Sequence, residues 1–318
     1  MSKPVVALQM DPLPRINVET DTTVALGLEA QNQGYKLFTY TPDALSYKEG
    51  QVVAKGFWVT FQGQGDRFYT LEEEAFLNLK EARFILMRQD PPFNMAYIAA
   101  THLLDLLPPP TRVLNNPAGV RNAPEKLLVT HFPDLMPPTL MSWDLSLIDD
   151  FIKMHGSVIL KPLFDFGGNG VFLLHAGDPN LPGILEIYLR LYPEPPIFQK
   201  FLPEVAQGDK RIILIDGKPV GIYKRIPLEG QTRSNMRAGG RPGACDFSAR
   251  DLEICARIGP TLKERGLYLA GIDVIGDYLT EINVTSPTGL RTINQLYGIN
   301  LAKDFWERLG SGFSVLPN

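Results

Sequence analysis

Between Gly271 and Pro287 the chain places Asp273, Glu281 and Asn283 among residues that otherwise read as buried strand. Apolar runs flank the pair Gly276-Asp277, so the segment reads as a β-hairpin. Residues two apart on a strand share a face, which points Glu281 and Asn283 the same way. A carboxylate on an apolar strand needs a partner, because an unpaired buried charge is costly. Mg2+ is one such partner, since it takes oxygen ligands and is commonly held by one or two carboxylates together with substrate phosphates. A salt bridge at Glu281 and a turn cap at Asn283 form the other reading. Three oxygen-bearing side chains on one hairpin, followed by Thr285-Ser286-Pro287-Thr288-Gly289, favour the metal. Asp273 can join them only on a geometric condition. A two-residue loop would pair it with Thr280 and turn Glu281 away, so an odd loop or a bulge is needed. A three-residue loop with a glycine-type bulge is expected.

Further residues could supply and hold phosphates. Lys161 ends the apolar run Val158-Ile159-Leu160, where a lysine either snorkels to the surface or aims at an anion. Just beyond it lies Asp165-Phe166-Gly167-Gly168-Asn169-Gly170, and glycines there let backbone N–H groups approach phosphate oxygens. No Gly-Lys-Ser/Thr follows and a strand comes next, so this is neither a Walker loop nor a dinucleotide fingerprint. A phosphate-covering flap is the expectation, and a plain hairpin turn the alternative. The extended segment Gln199-Lys200-Phe201-Leu202 could read a base edge, with Asp209 on a ribose hydroxyl; surface exposure is the alternative for Gln199. Between Pro227 and Gly243, Arg233, Arg237 and Arg241 alternate with Gly230, Gly239 and Gly240, just after Arg225. Arginine binds phosphate and carboxylate bidentately, so a mobile lid over an anionic intermediate is expected, against a merely solvated loop.

The elements that must position these groups follow an α/β pattern. Val5 to Met10 reads as a strand, Val24 to Gln33 as a helix capped near Asp21-Thr22, and Tyr35 to Thr41 as a second strand, which suggests a parallel sheet with crossover helices. Ala44 to Phe61 reads as an antiparallel insertion turning near Glu49-Gly50. The strand Phe84 to Met87 delivers Arg88 and Asp90 at its C-terminal end, where open α/β sheets bind ligands. Substrate contact and a mutual surface ion pair are both open for these two. A helix from Met95 to Leu107 stops at Pro108-Pro109-Pro110. Asn122 is the expected cap of a new helix and the first domain boundary. Strands follow near Thr139–Met141, Val158–Pro162, Val171–His175, Ile197–Leu202, Arg211–Ile215 and Pro219–Ile226, with helices Asp144–Met154 and Leu181–Leu191. Pro227 to Gly243 shows no strand or helix period. Ser248 caps a helix to Arg265 whose apolar positions are Leu252, Cys255, Ile258 and Leu262. Leu290–Tyr297 and Leu301–Leu309 close the chain as helices.

With 318 residues, 44% hydrophobic and 21% charged, the chain can build two or three α/β units. A formal net charge of −4 leaves no basic footprint for nucleic acid. The 2 cysteines, Cys245 and Cys255, do not make a disulfide scaffold or a zinc ribbon. The first apolar run, Val5 to Leu8, is too short for a signal peptide or a membrane span, so a cytoplasmic protein without a membrane partner is expected. His102, His131, His155 and His175 lack metal-ligand spacing, and no Gly-x-Ser-x-Gly elbow is present.

Several segments, in order along nearly the whole chain, resemble prokaryotic glutathione synthetase of the ATP-grasp superfamily. They are Met87-Arg88-Gln89-Asp90-Pro91-Pro92-Phe93, Asn122-Ala123-Pro124-Glu125-Lys126, Ile159-Leu160-Lys161-Pro162, Gly208-Asp209-Lys210-Arg211, Arg225-Ile226-Pro227, Ala238-Gly239-Gly240-Arg241 and Leu279 to Pro287. The resemblance implies an ATP-grasp α/β fold of three domains, 1–121, 122–202 and 203–318, with a mobile loop 227–243 and the nucleotide between the last two. It implies ATP with Mg2+ (or Mn2+), and ligation of γ-glutamylcysteine to glycine by a homo-oligomer. Lys126, Lys161, the glycines 167, 168 and 170, the stretch Gln199 to Leu202 and Asp209 would hold nucleotide. Asp273, Glu281 and Asn283 would hold metal. Arg211, Arg225 and Arg233 would clamp an acyl phosphate, and Arg88, Asp90, Arg241, Ser286 and Pro287 would meet the substrates. Another ATP-grasp carboxylate–amine ligase, or a nucleotide-binding protein without catalysis, is the alternative.

Overall fold

The computed structural model describes residues 3–62, 68–228 and 239–311. In chain order its strands and helices begin with β1 (Val5–Gln9), α1 (Thr22–Asn32), β2 (Lys36–Tyr40), β3 (Leu45–Lys48), β4 (Gln51–Phe61), β5 (Tyr69–Asn78), β6 (Ala82–Met87), α2 (Met95–Leu104), β7 (Arg112–Leu114) and α3 (Pro117–Arg121). They continue with β8 (Thr139–Met141), α4 (Leu145–His155), β9 (Ser157–Lys161), β10 (Phe172–His175), α5 (Leu181–Leu191), β11 (Ile197–Lys200), β12 (Asp209–Ile215), β13 (Lys218–Ile226) and β14 (Arg241–Gly243). Helix α6 (Ala249–Glu264), β15 (Leu269–Ile275), β16 (Tyr278–Asn283), α7 (Leu290–Tyr297) and α8 (Leu301–Ser311) complete the series.

Three sheets result. In the first, β2, β1, β6 and β7 run parallel, and β3, β4 and β5 extend the sheet antiparallel beyond β2. The second is antiparallel in the order β10-β9-β11-β8, and the third antiparallel in the order β14-β13-β12-β15-β16. The second sheet has its own core, where Ile148 and Ile152 of α4 and Leu185 and Tyr188 of α5 meet Val158, Leu160, Leu174 and Phe198. The first and third sheets share cores. Strand alternation explains how: Ile212 and Leu214 of β12 pack toward α6, whereas Ile213 and Ile215 pack toward α7 and α8. Each such side chain stabilises by roughly 1.5–3 kcal/mol when fully buried, so the two outer sheets are one packing body.

Caps set the helix starts. Asp21 accepts the Val24 N–H at 2.7 Å, Asp144 accepts from Ser146 and Leu147, and Ser248 and Asp251 form a reciprocal capping box. Several expectations need correction. Asn122 ends α3 rather than starting a helix; the N-cap is Asn116, whose side chain accepts the Gly119 N–H. Helix α2 stops at Leu104. Strand β5 was not anticipated, because its run Glu72-Glu73-Glu74 lacks apolar alternation; it is an edge strand with mostly exposed side chains. Strand β14 lies within the stretch expected to be irregular, and it exists through pairing with β13 rather than by its own pattern. Leu252 is 48% exposed; Ile254 takes the buried place on α6.

Candidate active site

The hairpin decides the site. Its loop is the two residues Gly276-Asp277, with Ile275 opposite Tyr278 and Val274 opposite Leu279. The expected three-residue loop is absent. Thr280 is instead an extra residue in β16, so that Asp273 stands opposite Glu281 and Gly271 opposite Asn283. The bulge delivers the needed offset, and Asp273, Glu281 and Asn283 share one face. Register carries that face across the sheet: Tyr223, Arg211, Asp273 and Glu281 are consecutive partners on β13, β12, β15 and β16. Asp209 and Arg225 form the next pair on the same face.

Above this face is a cleft of about 310 Å3 between the second and third sheets, closed at one side by the ends of the first. It is lined by Lys126, Lys161, Gly167, Gly168, the stretch Gln199 to Leu202 and Asp209. Arg211, Arg225, Asp273, Glu281, Asn283, Asp90, Ser286 and Pro287 also reach it. Three sequence-selected residues do not line it. Gly170 (φ 64°) packs against Tyr192, whose Oη lies 2.5 Å from where a Cβ would stand. Arg241 is exposed on β14 opposite Ile226. Arg88 is 5% exposed, donates to Thr23 Oγ1 at 3.2 Å and to the Pro287 carbonyl at 2.9 Å, and thereby braces the first sheet against the segment after β16. Ser286 Oγ completes that brace by donating to the Arg88 carbonyl at 3.0 Å. No Arg88–Asp90 ion pair forms among the described residues; the Asp90 N–H donates to Asp11 Oδ2 at 2.8 Å. Arg233, Arg237 and most of the expected lid lie outside the described residues.

Two lysines face the hairpin. Lys126 Nζ is 3.4 Å from Glu281 Oε1 and donates to the Asp165 carbonyl in the glycine loop. Lys161 Nζ donates to Gln199 Oε1 at 2.9 Å, and Gln199 Nε2 donates to Thr139 Oγ1 at 2.9 Å. Gln199 is therefore a buried orienting group rather than an exposed one. The Lys200 and Phe201 N–H groups donate to the carbonyls of Pro138 and Ser157. Burial pushes the Lys161 ammonium down to about 8, with Lys126 adding to the fall and Glu281 opposing it. An incoming polyphosphate reverses that effect. Nucleotide binding between pH 8 and 9 is therefore expected to take up a proton, seen as a buffer-dependent enthalpy in calorimetry. Lys161→Met should abolish the uptake and weaken binding; uptake that persists would remove Lys161 from the phosphate site.

The arginines are held by carboxylates. Arg211 grips Asp273 with both Nε (2.6 Å) and Nη2 (3.1 Å), and Nη1 donates to the Thr288 carbonyl at 3.2 Å. Arg225 Nη2 bridges Asp209 and Asp273, at 2.9 Å from the latter. Burial alone would raise the Asp273 carboxyl, but Arg211 and Arg225 outweigh it and hold it well below the usual carboxylate range. Asp209 thus meets a guanidinium here.

For a divalent ion the donor set is hard oxygen, as Mg2+ requires: two carboxylates and the Asn283 amide, with Asn283 Nδ2 3.4 Å from Asp273 Oδ2. Among the described residues no three His, Cys, Asp or Glu side chains form a metal cluster. With both Asp273 oxygens bonded to arginine, Glu281 and Asn283 fit as the primary ligands. Asp273 Oδ1 accepts the Arg211 Nε–H and, with its second lone pair, fits as a further ligand.

One residue that sequence reasoning quoted without a role is Glu125. Its carboxylate lines the cleft and accepts the Val284 N–H (2.9 Å), the Thr285 N–H (3.1 Å) and the Thr285 hydroxyl (2.7 Å). Burial, then the neighbouring Glu281 charge, push its carboxyl up. Its position beside Lys126 was the available signal. Tyr223, in the row with Arg211, was also missed, because its apolar strand context gave none.

Two protein-family models cover the chain: the N-terminal domain of prokaryotic glutathione synthetase over residues 5–121 and its ATP-grasp domain over 125–298. The chain belongs to the prokaryotic glutathione synthetase family. A glutathione synthetase of Brucella melitensis biotype 1 is 53% identical over 302 residues, which is 95% of this chain and 97% of that one. Among solved structures, the D-alanyl-alanine synthetase A of Vibrio cholerae superposes with a TM-score of 0.63 at 13% identity, covering 98% of each chain. The ATP-grasp ligase PsnB, in a complex with minimal precursor, Mg and ADP, superposes with a TM-score of 0.60 at 16% identity, covering 96% of this chain and 97% of that one. These neighbours establish the ATP-grasp fold. Family membership makes the chain an ATP-dependent carboxylate–amine ligase of glutathione biosynthesis, acting on small molecules. No helix among the described residues is long and apolar enough to cross a membrane.

Proposed function

We propose that the chain joins the cysteinyl carboxylate of γ-glutamylcysteine to the amine of glycine through an acyl phosphate, with release of ADP and phosphate. The observation that carries this reading is the convergence in one cleft of two lysines, two buried arginines and a hairpin bearing carboxylate and amide oxygens. Lys126 and Lys161 hold the nucleotide phosphates, and the glycine loop covers them with backbone N–H groups. Arg211 and Arg225, fixed by Asp273 and Asp209, stand ready to neutralise the acyl phosphate, a preorganised arrangement that needs little movement during reaction. Glu281 and Asn283 would hold Mg2+, or Mn2+ in its place, and the ion would supply positive charge to offset the negative charge that develops. Asp90, Ser286 and Pro287 border the acceptor end, and Arg88 shapes it from behind. A carboxylate must be activated because it does not react with an amine unaided, and an acyl phosphate must be shielded because water destroys it.

Units 1–121, 122–202 and 203–318 form the working divisions, the middle one with its separate core being free to move over the nucleotide. A cytoplasmic, homo-oligomeric enzyme belongs to the same reading and rests on the family alone. The test is ADP release with Mg2+ and ATP. It is expected only when γ-glutamylcysteine and glycine are both present, with glutathione formed in equal amount. Release with D-alanine or another amino acid in place of both substrates would point to a different ligase, and no release with any pair would leave only nucleotide binding.

A further inference from the structure

Strand β16 is an edge strand of the third sheet, so its outward N–H groups need partners from elsewhere. The linker between the first and second sheets supplies them. The Leu279 N–H donates to the Leu135 carbonyl at 2.8 Å and the Ile282 N–H to the Glu125 carbonyl at 3.2 Å. The N–H groups of Val284 and Thr285 and the Thr285 hydroxyl then converge on a single Glu125 oxygen, Oε1. The contacts fall on both sides of Asn283, whose own side chain faces the cleft. The next linker residue, Lys126, pairs with Glu281. One residue therefore holds the strand that carries two oxygen ligands and sets its distance from a nucleotide lysine.

We propose that Glu125 is a positioning residue for the ligase reaction: it closes the open edge of β16, fixes the backbone on both sides of Asn283, and so holds Asn283 and Glu281 in place for a divalent ion. The proposal rests on the ligase reading above. It differs from a purely structural role in one respect. A general loosening would weaken nucleotide binding with and without Mg2+ alike, whereas misplaced oxygen ligands weaken chiefly the Mg2+-dependent part.

Substitutions separate these cases. Glu125→Gln keeps a carbonyl oxygen where all three donors converge; Glu125→Ala removes it and leaves those donors unsatisfied; Thr285→Val removes one donor only. Binding of a non-hydrolysable ATP analogue is measured by calorimetry with Mg2+ and with EDTA, without γ-glutamylcysteine or glycine. For Glu125→Ala the Mg2+-containing affinity should fall about tenfold or more, as for a buried hydrogen-bonding group lost, and the EDTA affinity by much less. Glu125→Gln should restore binding to within a few-fold of the parent, and Thr285→Val should lie between. Equal losses with Mg2+ and with EDTA, or a Gln variant as impaired as the Ala variant, would overturn the proposal. Should the Ala variant fail to fold, a Thr285→Val protein with parental Mg2+-dependent affinity would overturn it too. Because the readout is binding without substrates, failure here leaves the identity of the ligated substrates untouched.

Discussion

Glu281→Gln should lower turnover by about 10²-fold or more while leaving the fold intact. The substitution preserves shape and removes one charge from the only carboxylate in the ligand set that is not gripped by arginine among the described residues. Removing one major electrostatic stabiliser from a preorganised site costs turnover on the order of 10²–10³-fold. Two compensations could soften the effect, and both can be measured. Lys126, now relieved of its partner at 3.4 Å, can turn fully to the phosphates and tighten nucleotide binding in the absence of metal. Raised Mg2+ can recover part of the lost occupancy. The check is steady-state turnover across a Mg2+ titration. Near-parental turnover at saturating Mg2+ would make Glu281 a structural partner of Lys126 and move the metal elsewhere in the cleft.

The second large effect is on stability. Arg225→Met should destabilise the protein by about 3–5 kcal/mol, the usual cost of removing one partner from a buried ion pair. Arg225 is 5% exposed and bridges Asp209 and Asp273, which are 7% and 5% exposed. Methionine fills much of the volume but removes the one guanidinium that these two buried carboxylates share. The companion variant Arg225→Met with Asp209→Asn should recover part of the loss, because it removes one of the two carboxylate charges that the guanidinium balanced. Urea unfolding of the single and double variants measures both. A single variant as stable as the parent would mean that the network is solvated and that its arginines serve only the reaction. By contrast Lys153 and Asp149, an exposed pair one helical turn apart, should matter little when exchanged for neutral residues.

Much of the molecule was legible before any coordinates. The parallel opening followed from two apolar strands on either side of a capped helix. The caps Asp21 and Ser248 follow from side chains that bond the first free N–H groups of a helix, a local rule that tertiary context rarely overturns. Lys161, Glu281 and Asn283 could be chosen because a charge or amide in an apolar run needs a reason, and Lys126 through the family resemblance. What was misjudged depends on partners distant in sequence. Strand β14 is held by β13, and β5 by β4; neither carries a pattern of its own. Arg88 looked like a substrate contact because it ends a strand of an open sheet, yet its guanidinium is spent on Thr23 and the Pro287 carbonyl.

The sequence by itself determined which residues were candidates for the site: side-chain oxygens on a hairpin, a lysine at a strand end, and arginines that could meet anions. Only tertiary structure decided their arrangement. A strand's side chains alternate, so the insertion of Thr280 as a bulge, which turn chemistry alone did not reveal, is what brings Glu281 opposite Asp273. Register across β13, β12, β15 and β16 then lines up Tyr223, Arg211, Asp273 and Glu281, residues up to 70 positions apart between Arg211 and Glu281 (281 − 211). That alignment makes the Asp273 carboxylate the shared partner of Arg211 and Arg225. The division follows from range: caps and alternation are written over a few residues, whereas pairing register and buried charge balance exist only once separate strands have met.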